Sequence, residues 1–136
     1  MATYDQLQPG QSASFTKTIS ETDIYLFAGI TGDMNPAHVD AVAAASGMFK
    51  QRIAHGMLTA SFISTVIAMQ LPGPGTIYAG QDLQFRAPVF IGDTVTARVE
   101  VTEKQDQRKW VKLKTEVTNQ DGKLVVAGVA TVIPPA

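Results

Sequence analysis

The feature that most constrains the fold of this chain is one long apolar segment with an abrupt end. Residues 57–71 form the most apolar run of the sequence, and a Pro-Gly-Pro-Gly stretch over 72–75 ends it. A bilayer requires ~20 mostly apolar residues. This run is shorter and contains serine, threonine and glutamine, so the pattern predicts a helix of the protein core over His55–Leu71. Because the segment is apolar on nearly all sides, we expect the helix to be buried all round.

The part of the chain that follows this helix is rich in valine and threonine and alternates between apolar and polar residues. Alternation of this kind is typical of strands with one buried face. The pattern predicts four strands, over 77–85, 95–102, 111–117 and 124–133. Their short connections, at 92–93, 103–108 and 119–122, predict an antiparallel meander.

The part before the helix mixes one strand with short helices. Residues 13–19 alternate and carry one lysine on the apolar face, which indicates an edge strand. Ser20 is a helix N-cap, and Asp23 stands where a capping side chain helps. The sequence then predicts a helix ending near Gly29 or Gly32, a loop over 31–38 that contains an Asn-Pro pair, and a short helix over 41–46.

These elements predict an α+β fold in which a curved antiparallel sheet wraps around one long central apolar helix. The length of 136 residues suits a single domain over 1–136. A small sheet of this kind has open edges, which favours a homodimer.

Composition excludes several function classes. The net charge of -1 gives no basic excess for nucleic acid or for an acidic membrane surface. The absence of cysteine excludes disulfides, thiolate metal sites and a cysteine nucleophile. The histidines and carboxylates match no metal spacing, so we expect no metal. No signal peptide is readable at the N-terminus, and we expect a cytoplasmic protein.

Two short segments carry residues suited to catalysis. In Gly32–His38, the Asn35-Pro36 turn can bring Asp33 and His38 together as an acid–base pair. The alternative is an ordinary surface loop. At the start of the long helix, the free amide of Gly56 suits a developing oxyanion. The alternative there is that Gly56 eases the turn while His55 caps the helix.

Segment 27–44 (FAGITGDMNPAHVDAVAA) resembles the hydratase-2 motif of (R)-specific enoyl-CoA hydratases. That motif has an aromatic residue, a Gly-Asp-x-Asn-Pro-x-His centre and a small residue six places after the histidine. The resemblance continues through segments 52–57, 71–78 and 88–95 and covers essentially the whole chain. The chain is thereby identified as similar to the MaoC-like dehydratase family, which has the hot-dog fold. One departure is Ala37, where the family commonly has a larger aliphatic residue.

The resemblance implies reversible syn hydration of a trans-2-enoyl-CoA to the (R)-3-hydroxyacyl-CoA. It implies that Asp33 and His38 are the catalytic pair and that the Gly56 amide donates to the thioester oxygen. Asn35 and Ser64 would support the site, Asn35 by holding the loop or water and Ser64 by a hydrogen bond near Asp33. It further implies a homodimer with acyl tunnels near the subunit interface, and no cofactor, with the coenzyme A thioester as substrate.

Some questions stay open at the level of sequence. We expect Ile67 and Ala68, one turn beyond Ser64, to form the floor of the acyl pocket. Hot-dog folds also host acyl-CoA thioesterases, and non-catalytic acyl-CoA-binding subunits are a further alternative. An acyl-carrier-protein dehydratase would need a basic docking patch, for which Lys50, Arg52 and Arg86 are the obvious residues.

Overall fold

A computed structural model describes residues 1–136. It contains one antiparallel sheet and four helices. The helices are α1 (Glu21–Thr31), α2 (Pro36–Val39), α3 (Ala41–Ala45) and α4 (Gly56–Met69). The strands are β1 (Ser12–Thr18), β2 (Ile77–Gln81), β3 (Gln84–Phe85), β4 (Thr94–Gln105), β5 (Trp110–Thr118) and β6 (Leu124–Ile133). None of the helices combines the length and the apolar character that crossing a bilayer requires.

The six strands form one sheet in the order β1-β4-β5-β6-β2, with β3 also paired to β6. Strands β4, β5 and β6 make the predicted meander, and β1 lies at one edge, as its lysine-bearing face predicted. Helix α4 packs against β1, β4, β5 and β6. The α+β prediction of a single antiparallel sheet around a long helix is therefore confirmed.

Helix α4 has one buried and one exposed face. Its buried side chains pack into a core cluster with the sheet, and these are Leu58, Thr59, Ala60, Phe62, Ile63, Val66 and Ile67. Met57, Ser61, Ser64 and Ala68 follow one another on the opposite face and are exposed. The prediction of burial all round is therefore wrong for the single chain, because the sheet covers only one side of the helix.

The start of α1 follows the predicted capping pattern. The Ser20 hydroxyl accepts from the Asp23 amide at 3.1 Å, and the Asp23 carboxylate accepts from the Ser20 amide at 2.9 Å. Gly32 ends the helix in the left-handed region with φ 81°, which glycine adopts without the steric cost of a Cβ. Of the two predicted ends, the one at Gly32 is correct.

The predicted loop over 31–38 contains a short helix that sequence reasoning missed. Asn35 accepts from the Ala37 amide at 3.0 Å as an N-cap, and Pro36 occupies the first helical position. An Asn-Pro pair is read as a turn when it stands alone. It is equally an N-cap followed by the residue best suited to the first position of a helix.

The predicted strand over 77–85 is divided into β2 and β3. Between them, the Asp82 amide donates to Val129 and its carboxylate accepts from the Val129 amide. The backbone of Asp82 comes so close to β6 that a Cβ at Gly128 would lie 2.0 Å from the Asp82 carbonyl oxygen. This crossing breaks the regular ladder. Strand β4 is longer than predicted and takes up residues 103–105 of the predicted connection.

Candidate active site

His38 projects from the short helix α2, which a neighbouring segment holds in place. The His38 Nδ1 donates to the carbonyl oxygen of Ile53 at 2.8 Å, and the Ile53 amide donates to Ala37 at 3.1 Å. A carbonyl oxygen only accepts, so Nδ1 carries the proton of the neutral ring. The lone pair of Nε2 is then available as a proton acceptor in the half-buried site.

Asp33 lies in the connection between α1 and α2. Its amide donates to the Thr31 hydroxyl at 3.2 Å, and its carboxylate accepts from the Asn35 amide at 3.2 Å. Its backbone carbonyl accepts from Nε2 of His55 at 3.0 Å. The Asp33 side chain is exposed, and its backbone is held by Thr31 at the end of α1 and by the ring of His55.

One cavity of ≈ 460 Å³ contains both predicted catalytic side chains. Asp33, His38 and His55 each offer a ligand-type atom, and these atoms lie within 4.8 Å of one another. The rest of the lining is mainly apolar and includes Phe49, Ile53, Phe85, Pro88 and Val89. The turn between α1 and α2 therefore brings the carboxylate and the imidazole together in an apolar pocket, which the spacing of the sequence alone left open.

Gly56 also lines this cavity and is the first residue of α4. No acceptor within the chain binds its N–H or the N–H of Met57. A Cβ at position 56 would lie 2.8 Å from the ring of Phe85, so only glycine fits without a shift there. His55 occupies the N-cap position, as the alternative expected, and its carbonyl oxygen accepts from the Leu58 and Thr59 amides, but its ring makes no capping hydrogen bond.

Of the other predicted site residues, Asn35 contacts the pair through its amide, which donates to the Asp33 carboxylate, and the rest lie apart from it. Asn35 holds α2 as its N-cap. Ser64 lines a second cavity of ≈ 480 Å³ between α4 and β2, and Met57 lines both cavities. Ile67 and Ala68 line neither cavity, because Ile67 faces the core and Ala68 the exposed side of α4.

Sequence reasoning missed the surroundings of His55. Its ring is 2% exposed, lies 3.9 Å from the His38 ring and 4.9 Å from the Phe27 ring, centroid to centroid. The two histidines are far apart in sequence and belong to different elements, so no local pattern indicates this stack.

The same cluster contains the groups from which a cation site would be built. Nε2 of His38 has no partner and the Asp33 carboxylate accepts only from the Asn35 amide, whereas Nδ1 of His38 and Nε2 of His55 are engaged by carbonyl oxygens. The sequence-based expectation that no metal takes part stays a prediction.

The three basic residues considered for docking differ in their surroundings. Arg52 donates to Tyr25 at 3.0 Å and forms an ion pair with Glu21, and its hydrogen bond holds the pKa of Glu21 below its usual range. Lys50 is exposed and lies outside the cavity lining. Arg86 is the one cationic side chain that lines the cavity, and no carboxylate pairs with it.

Comparison with known proteins identifies the family of the chain. A family model described as "MaoC like domain" matches residues 5–122. The chain is 56% identical, over 98% of its own length and 92% of the relative's, to the (R)-specific enoyl-CoA hydratase of Rhodospirillum rubrum. It is 36% identical, over 99% of its own length and 82% of the relative's, to the mitochondrial 3-hydroxyacyl-[acyl-carrier-protein] dehydratase FERN of Solanum lycopersicum.

Among solved structures, the chain is similar to the R-hydratase PhaJ1 of Pseudomonas aeruginosa in its unliganded form. The TM-score is 0.92 at 50% identity, and the match covers 98% of this chain and 85% of that one. The fold is thus the hot-dog fold. The chain belongs to the MaoC-like dehydratase family, and the predicted family resemblance is confirmed. Within that family, the relatives named above are a hydratase of enoyl-CoA and a dehydratase of carrier-protein thioesters.

Proposed function

We propose that this chain is an (R)-specific enoyl-CoA hydratase, a hydro-lyase that adds water reversibly to a trans-2-enoyl-CoA. One observation carries the proposal. The Asp33 carboxylate and the His38 imidazole share one apolar cavity with the unpaired N–H of Gly56. A base, a carboxylate and an oxyanion donor are the groups that addition of water to a conjugated thioester requires.

Proton transfer in this site can be assigned to His38. Nε2 accepts a proton from water as the water oxygen bonds to C3 of the substrate, because Nδ1 is already protonated and bound to Ile53. Asp33 accepts a hydrogen bond from the second hydrogen of the water and orients it. His38 then returns its proton to C2, and the imidazole is neutral again. Hydrogen and hydroxyl reach the alkene from one side, which gives syn addition and a single enantiomer.

When the water oxygen bonds to C3, negative charge develops on the carbonyl oxygen of the thioester. The Gly56 N–H stands at the start of α4, where the amides lack helical partners and the helix dipole favours negative charge. A donor that is in place before the reaction stabilises the enolate with no reorganisation at the moment of reaction. Hydration moves no electrons between molecules, so the proposal includes no redox cofactor, and coenzyme A enters as part of the substrate.

The rival functions differ in what they release. A hot-dog thioesterase would liberate free coenzyme A thiol, whereas a hydratase removes the enoyl absorbance and leaves the thioester intact. We expect a loss of enoyl absorbance without thiol, measured in parallel with a thiol reagent. Thiol release at the same rate would contradict the proposal, and binding without either change would indicate a non-catalytic subunit.

Arg86 is proposed to bind a phosphate of the substrate, since it is the unpaired cation of the cavity lining. Replacing it by Gln is expected to raise the KM for crotonyl-CoA roughly tenfold, the effect of one charge-assisted hydrogen bond. The KM for crotonyl-pantetheine, which has no phosphate, is expected to stay unchanged. Arg108→Gln, which removes the same charge beside Trp110 and outside this cavity, is the matched control. An equal KM change for both substrates would contradict this role.

We further propose that the protein is a homodimer. In this dimer the acyl chain of the substrate lies in the second cavity, which Ser64 lines. Strand β2 ends the sheet with an unpaired edge, and its first residue, Ile77, is 60% exposed. A second copy that covers this edge and the exposed face of α4 would close the cavity that Ser64 lines, and sedimentation equilibrium gives the mass that decides it. The acyl-floor role of Ile67 and Ala68 and the cytoplasmic location stay predictions.

A further inference from the structure

The buried group that the reaction above does not use is His55. The residue is 2% exposed, and its ring lies between the rings of Phe27 and His38, tilted against both. It lines the wall of the cavity, nearly closed off from solvent, and takes no part in the reaction described above. A histidine kept in such a place needs a reason, because burying a polar ring is costly unless its nitrogens have partners.

The protonation pattern of His55 follows from its one hydrogen bond. Nε2 lies 3.0 Å from the carbonyl oxygen of Asp33, so Nε2 must carry the proton. Nδ1 is buried and has no partner. Thr59, one helical turn further on, has the other buried side-chain polar atom without a partner.

We propose that His55 is a positioning residue, a neutral Nε2–H imidazole that holds Asp33 and the ring of His38 in register. The connection around Asp33 has few other restraints, since its side chain is exposed and its amide bonds are local. His55 is the link from this connection to the rigid start of α4, the same point that presents the Gly56 amide. One imidazole thereby fixes the carboxylate and the histidine relative to the oxyanion donor.

The tautomer can be measured without any assay. The chain has two histidines, so a ¹⁵N-histidine sample gives four ring-nitrogen signals. Long-range ¹H–¹⁵N spectra are expected to show His55 protonated at Nε2 alone and His38 at Nδ1 alone, with assignment from the single variants. A His55 ring protonated at Nδ1, or exchanging between the two tautomers, would contradict the proposal even if the proposed reaction is correct.

The kinetic consequence rests on the proposed function and uses two variants. His55→Phe keeps a ring between Phe27 and His38 but removes the donor, so kcat for crotonyl-CoA is expected to fall roughly ten- to hundredfold with little change in KM. His55→Gln places an amide N–H near the position of Nε2 and is expected to restore most of kcat. Circular dichroism and thermal unfolding are the measurements that check whether each variant is folded at the assay temperature.

The kinetic results of the two variants decide whether His55 has a positioning role. A fall in kcat for Phe with recovery for Gln supports positioning. Wild-type kcat in both variants contradicts it, as does a KM effect with unchanged kcat. If His55→Phe does not fold, the ring-nitrogen spectra of the unsubstituted protein decide the question. If the unsubstituted protein hydrates no enoyl thioester, the proposed function fails while the tautomer result still stands or falls alone.

Discussion

Replacing Asp33 by Asn or His38 by Gln is expected to lower kcat for enoyl-CoA hydration at least ~100-fold, the usual scale for a positioned acid–base group. His38→Gln removes the lone pair that accepts the proton of water, while its amide retains the size of the ring at that position. Asp33→Asn keeps the shape and the acceptor for the Asn35 amide but loses the charge that orients water. Steady-state rates on crotonyl-CoA measure both effects.

Asp40→Asn is the matched control for this pair. Asp40 is another exposed carboxylate of the same region, and it caps α3 by accepting from the amides of Val42 and Ala43. Asparagine caps helices as well as aspartate, so this variant is expected to keep its activity and its stability. Near-normal kcat in a folded Asp33→Asn or His38→Gln protein would remove the basis for the acid–base assignment.

The second large effect concerns the backbone of Gly56 and can be isolated because of where that residue stands. Proline fits the first position of a helix, and His55 before it has φ -57° and ψ 133°, an extended conformation that proline favours in its predecessor. Gly56→Pro therefore removes the N–H that is proposed to bind the thioester oxygen and leaves the helix able to form. Relative to Gly56→Ala, kcat is expected to fall ~10²–10³-fold, the loss typical of one oxyanion donor.

Gly56→Ala is the necessary reference, because both substitutions add a Cβ that meets Phe85. Ala keeps the N–H, so the ratio of the two variants reports the hydrogen bond, and the loss in Ala alone reports the crowding. Adding Phe85→Leu to each variant relieves the crowding and is expected to leave the ratio unchanged. Equal rates for Pro and Ala, with far-ultraviolet spectra like the wild type, would show that this amide does not stabilise the transition state.

Much of the fold follows from local patterns of the sequence. The valine-rich run over 124–133, which Pro134-Pro135 closes, predicts β6 with the observed limits, and the serine–aspartate pair predicts the start of α1. The strand signal is strong because burial in the core requires apolar side chains. The helix-start signal is strong because each side chain of the capping box accepts a hydrogen bond from the other residue's backbone amide. The break between β2 and β3 is different in kind, since it depends on how closely Asp82 approaches Gly128 across the sheet. No local pattern contains that distance.

The active site likewise has one part that the sequence predicts and one part that only the folded structure shows. Residue types and the motif predict Asp33, His38 and Gly56, and all three line one cavity. The ring of His55 between Phe27 and His38 arises only when α1, α2 and the start of α4 meet. The prediction that α4 is buried on all sides also fails. An apolar composition indicates that a helix face packs against something, but it does not show whether that partner is the same chain or another one.

The measurement that tests the central claim most directly is the hydration of crotonyl-CoA with the product resolved by its configuration. The ultraviolet absorbance of the conjugated thioester is followed after addition of protein, and the 3-hydroxybutyryl product is separated on a chiral column. We expect rapid loss of absorbance and the R product alone, because Asp33 orients the attacking water and His38 carries its proton on the same face of the alkene. An S or racemic product, or no loss of absorbance with this and longer enoyl-CoAs, would contradict the account.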